Sequence, residues 1–197
     1  MKVDAGRFWG PTLLWGLGLV FVYTVGAFVG EPATGTCMFV LMPYFAAIAA
    51  TVPIVRSGRF GAGLVAFIPY AVLGFVPLYV FDWAQSHALR GIWAVFAWSA
   101  TGPVIGVCAD AAYRLTASRS EPVRATVTGA VMQAATFVLM LLGLTLLYMD
   151  PSAGDSHARL FDSEWYFTAP WMIANGAFGG YTAHTMFGHA RPDLLHG

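Results

Sequence analysis

Residues 125–148 read ATVTGAVMQAATFVLMLLGLTLLY, 24 residues without a formal charge. A helix crossing a hydrocarbon core of about 30 Å needs roughly 20 such residues, because its backbone polar groups must be satisfied within the segment. Five further stretches of this kind lie before and after it: Pro11–Gly30, Cys37–Val55, Gly61–Phe81, Gly91–Tyr113 and Phe167–Phe187. Together the six hold one formal charge, Asp110, and one histidine, His184. The sequence therefore predicts an all-α integral membrane protein. Residues 1–197 form a single bundle of six transmembrane helices, placed in the plasma (inner) membrane.

Composition points the same way. Apolar residues of the AVILMFWYC set make up 58% of the chain and Asp, Glu, Lys and Arg only 10%, with a mean hydropathy of +0.66. A soluble domain carries about 25% charged residues. Ten basic and ten acidic residues cancel, so no global field attracts nucleic acid, and the apolar content excludes a disordered chain. Basic residues near spans are held on the cytoplasmic side. Lys2, Arg7, Arg56, Arg59, Arg114, Arg119, Arg124 and Arg191 fall on one side of the six spans, against Arg90 and Arg159 on the other. That asymmetry places both termini in the cytoplasm. The first apolar run exceeds the 7–15 residues of a signal-peptide core and five spans follow it, so it reads as an uncleaved helix.

Small residues and prolines mark how the spans pack. Gly176 and Gly180 lie four apart in ANGAFGGYTAH, with Gly179 beside them. Such spacing lets helix backbones approach closely, either within this chain or against another membrane subunit. Pro43, Pro53, Pro69, Pro77 and Pro103 interrupt spans two to four; each removes a backbone donor and frees a carbonyl, as in helices that line a substrate cavity. Cys37 and Cys108 are expected at different depths, too far apart for a disulfide.

Ionisable groups inside a membrane are costly and so point to function or to a partner. Asp110 lies near the cytoplasmic end of span four with Arg114 at i+4, the spacing of a helical ion pair, and the alternative is proton coupling. His184 and His189 are five apart, a poor pair for a metal. The outer ends of spans three, four and six gather Asp82, Trp83, Trp93, Trp98, Trp171 and Asn175. Such a group builds either an interfacial aromatic belt or an outward-facing pocket, in which rings stack on a ligand while Asp82 or Asn175 orients it. The 18-residue outer loop DPSAGDSHARLFDSEWYF, from Asp150 to Phe167, is the candidate lid.

No GxSxG elbow, HExxH motif or Walker A loop occurs, so common hydrolytic, metalloproteolytic and ATP-driven chemistries lack their parts. No catalytic residue, metal or cofactor is expected. The leading functional expectation is a small-molecule membrane transporter or substrate-capture subunit, with membrane lipids and other membrane subunits as partners. Two others stand beside it: an accessory subunit of a membrane complex joined through Gly176 and Gly180, and an intramembrane enzyme acting on a lipid or isoprenoid through Asp110 or Asp82. In size, helix count and inward termini the chain resembles the substrate-binding subunits of energy-coupling-factor vitamin transporters. The likeness is architectural, with glycines on the first helix where that family carries an alanine-spaced coupling face. It implies a transmembrane coupling protein and two ATPases as partners, and a vitamin or similar molecule as ligand.

Overall fold

A computed structural model of the chain describes residues 5–33, 35–73, 92–148 and 165–188. Among these residues the chain forms six helices and no strand: α1 (Ala5–Ala33), α2 (Gly35–Ser57), α3 (Ala62–Leu73), α4 (Ile92–Leu115), α5 (Glu121–Tyr148) and α6 (Trp165–Phe187). Each apolar run read from the sequence overlaps one of them over most of its length. Trp165 and Tyr166, at the close of the quoted loop stretch, form the first turn of α6.

The helix ends follow from local chemistry. Gly58 takes a left-handed φ of 58° and donates its N–H to the carbonyl of Ile54 at 2.8 Å, closing α2. Only glycine adopts this conformation without a Cβ penalty. At the start of α5, Ser120 accepts the Arg124 N–H at 3.0 Å, and Glu121 and Pro122 occupy the first turn. A carboxylate suits the positive end of the helix dipole there, and proline loses no hydrogen bond.

The helices close a ring in the order α1, α3, α4, α5, α6, α2, with α2 also touching α3, α4 and α5. α2 is correspondingly enclosed: from Ala46 to Val55 every residue except Ile48 is buried. Its run of small side chains lets the neighbours close over it, together with Leu19, Phe67, Tyr70, Ile105, Tyr113 and Met132. Trp15 of α1 meets Phe187 of α6 edge to face at 5.1 Å.

Among the described residues no helix is long and apolar enough to cross a membrane. α3 is the clearest case, at 12 residues; the expected third span runs on through 74–81, outside the described residues. The other five helices have 23 to 29 residues, so they extend at least about 35 Å at 1.5 Å per residue.

Candidate functional site

Two close helix crossings organise the interior. In the first, Gly106 of α4 lies against Gly63 of α3, and a methyl added to either would run into the other's backbone carbonyl. In the second, Gly129 of α5 lies against Gly176 of α6, and Gly180 against the Ala125 carbonyl, with equally little room. Gly179, on the adjoining face of α6, meets Tyr44 and Ala47 of α2. The glycine face expected from the sequence is thus spent on neighbours within this chain.

One turn beyond Gly106 on the same face stands Asp110, 1% exposed. Its carboxylate accepts three backbone N–H groups at the start of α3: Gly63 at 3.0 Å on Oδ1, and Gly61 at 3.1 Å and Leu64 at 3.2 Å on Oδ2. The N–H of Ala62 goes to the carbonyl of Arg59 at 3.4 Å, and that of Val65 to Gly61 at 2.9 Å. Every amide of the first turn is therefore accounted for. α3 begins at RSGRFGAG, which offers no Ser, Thr, Asp or Asn at the capping position next to the helix. Asp110 supplies that cap from α4, 49 residues along the chain from Gly61, with its charge at the favourable end of the α3 dipole.

Arg114, the i+4 partner suggested by the sequence, is exposed one turn further on and its charge acts on Asp110 from there, while both carboxylate oxygens are engaged by the three amides. A close ion pair joins Glu121 Oε1 to Arg124 Nη1 at 2.6 Å. The Tyr113 hydroxyl donates to Glu121 Oε2 at 2.6 Å, the Arg124 guanidinium lies 3.8 Å from the Tyr113 ring centre, and Arg124 Nε and Nη2 donate to the Tyr113 carbonyl. These contacts fasten the α4–α5 turn.

One turn beyond Gly129 stands Gln133, also 1% exposed. Its Nε2 donates to the Pro43 carbonyl of α2 at 2.8 Å, and its Oε1 is buried with no partner among the described residues. An amide oxygen left without a donor in the interior costs free energy that a bound donor would recover. The sequence reading missed Gln133. Its signal is one strongly polar residue in an otherwise apolar or small-residue run, four places after a glycine.

The outer constellation is only partly in view. Asp82 and Trp83 lie outside the described residues, as do the side chains of Trp93 and Trp98. Trp171 is 47% exposed, and the Asn175 amide donates back to the Trp171 carbonyl at 2.9 Å. The outer end of span three, part of the pocket wall expected from spans three, four and six, lies outside the described residues. Among the described residues α6 packs against α5 and α2, while α3 packs against α4 and α1. The paired glycines choose those neighbours, because backbones can touch only where both faces are bare.

No protein-family model matches the chain, and no curated protein or solved structure matches it.

Proposed function

We propose that this protein is a multi-pass membrane protein that captures a small molecule at the junction of α2, α5 and α6, with Gln133 as the buried polar contact. The observation that carries the capture reading is the Gln133 amide, held by one hydrogen bond and left with an open acceptor in the core. A ligand bearing an N–H or O–H donor and an otherwise apolar body suits such a place, because one oriented hydrogen bond in apolar surroundings fixes its register. Trp171 and Asn175, further out on α6, lie on the entry side of this reading.

Support for the membrane setting comes from the surface. All six helices expose large apolar residues, among them Leu14 and Phe21 on α1, Phe45 on α2, Val72 on α3 and Phe178 on α6. A water-soluble monomer rarely carries so much contiguous apolar surface, whereas lipid tails accept it. The eight-to-two basic asymmetry gives the orientation, with both termini inside.

The other two readings have less support at Gly176, Gly180 and Asp110, while Asp82, the second candidate acid, lies outside the described residues. An accessory subunit joined through Gly176 and Gly180 would need a face that α5 already covers. An enzyme using Asp110 as an acid would need a carboxylate free of the three amides that hold it.

Native mass spectrometry of the protein released gently from its own membrane tests the proposal. A retained small molecule is expected in the unaltered protein and absent from Gln133→Leu at unchanged fold. Equal retention by the variant, or no small molecule in either, overturns the capture reading.

A further inference from the structure

At the end of the bundle where α2 and α4 terminate, the acidic groups among the described residues are already occupied. Asp110 is buried under three amides, and Glu121 is held by Arg124 and Tyr113. Three of the basic groups there are not matched in the same way. Arg56 in the last turn of α2, Arg114 in the last turn of α4 and Arg119 in the α4–α5 turn are all exposed, and none is in an ion pair among the described residues. Beside them in the chain stand two large apolar side chains in an unusual position for a charged face: Phe60, 54% exposed, and Leu115, 85% exposed.

The segment that presents Phe60 is rigidly built. Gly58 closes α2, the Arg59 N–H donates to Ser57 Oγ at 3.2 Å, and Gly61, at φ 96°, is gripped by Asp110. The same grip brings this turn against the end of α4, where Arg114 lies one turn past Asp110. On α4 the exposed positions Val104, Val107 and Arg114 continue one another at helical spacing, so an apolar stripe ends in a guanidinium.

We propose that this end of the bundle, formed by the α2–α3 turn and the last turn of α4, is a docking surface for anionic phospholipid. Arg56, Arg114 and Arg119 engage the headgroup phosphate, and Phe60 and Leu115 sit at the boundary with the acyl chains. A planar guanidinium donates two parallel hydrogen bonds to phosphate oxygens, which an ammonium cannot copy. The two apolar side chains select the lipid over a free anion, because inorganic phosphate would leave them in water. Continuity with the apolar stripe selects a lipid over an acidic protein, because chains lying against Val104 and Val107 deliver their headgroups to Arg114. The inference rests on the membrane reading above, and deepens it by naming the lipid class held at the inner face.

The test titrates the protein, purified in a neutral detergent, with dioleoylphosphatidylglycerol, dioleoylphosphatidylcholine or inorganic phosphate while tryptophan fluorescence follows thermal unfolding. Phosphatidylglycerol is expected to raise Tm saturably, and the other two to leave it unchanged at the same concentration. In the triple variant Arg56→Gln, Arg114→Gln, Arg119→Gln the lipid-free Tm is retained. The half-saturating lipid concentration rises about a hundredfold, from about fivefold per arginine near a membrane surface. Should the triple variant fail to fold, Arg119→Gln alone, outside any helix, is expected to show the fivefold step. An equal response to phosphatidylcholine or to phosphate overturns the inference, as does an unaltered lipid response in the variants. Co-purification of an acidic protein that phosphatidylglycerol does not displace also overturns it. Alkaline carbonate extraction of native membranes separates the two levels: release of the protein sinks the membrane reading, whereas retention without any phosphatidylglycerol effect sinks the headgroup site alone.

Discussion

Gly106 with Asp110 on α4, and Gly129 with Gln133 on α5, are the same local arrangement used twice. In each pair a bare glycine brings a neighbouring helix to backbone contact, and a polar side chain one turn later is 1% exposed in the space beside that contact. Their outcomes differ. Asp110 spends its carboxylate on three amides of α3, while Gln133 spends one donor on α2 and leaves its oxygen open. A buried polar group that is fully matched holds the fold together, and one that is half matched waits for something else. On this comparison the α3–α4 crossing is structural, and the α2–α5–α6 junction is the place that the capture proposal assigns to a ligand.

The largest effect that could break this parallel is at the glycines. Gly106→Leu and Gly176→Leu each force a side chain into a partner's backbone, which cannot move aside as a side-chain tip can. Each is expected to cost about 3 kcal/mol or more, read as a loss of folded protein in detergent unfolding. If Gly176→Leu instead stayed folded and only lost a partner protein, α6 would present that face outward and the second crossing would be wrongly drawn.

Next in size is the cap. Asp110→Ala strands three amide donors at the start of α3 and is expected to cost about 3 kcal/mol, with Asp110→Asn between it and the unaltered protein. Arg114→Ala, on the exposed turn, should stay within about 0.5 kcal/mol. Measured side by side, these variants separate a cap from an ion pair: matching losses at Asp110 and Arg114 would restore the pairing that the i+4 spacing suggests. Tyr113→Phe, which removes one hydroxyl from the Glu121 cluster, comes lower, at about 1 kcal/mol, by the same unfolding measurement.

The sequence made the helices legible and their partners less so, for a physical reason. Long uncharged runs report helix position directly, and the structure returns helices at all six. The close-packing face of Gly176 and Gly180 was also readable, because bare helix surface is visible as spacing. What covers that face was not, since Gly129 and Ala125 become its neighbours only through the ring order of the fold. Asp110 stood out as a charge in an apolar run, yet its partners are backbone amides 46 to 49 residues away, and amides carry no side-chain signature. Arg114, four residues away, was the visible candidate. Gln133 shows the opposite failure: it bears no formal charge, and its importance lies in the donor it lacks. Of the tryptophans grouped at the outer ends of spans three, four and six, only the side chain of Trp171 lies among the described residues.

The smallest effect on stability should accompany the largest on function. Gln133→Leu loses one hydrogen bond to Pro43 but also removes a buried oxygen that has no partner, and these terms oppose each other. The net change in stability is expected within about 1 kcal/mol of zero, well under the cost of Asp110→Ala. Gln133→Glu makes a sharper contrast, since it places an ionisable acid in the same core and should destabilise by several times that amount unless neutralised. If Gln133→Leu proves as damaging as Asp110→Ala, the amide is already satisfied, and the two glycine–polar pairs do the same structural work. If it is neutral in unfolding yet empties the protein of its small molecule, a missing hydrogen-bond donor in the core will have located a binding site that no motif in the sequence announces.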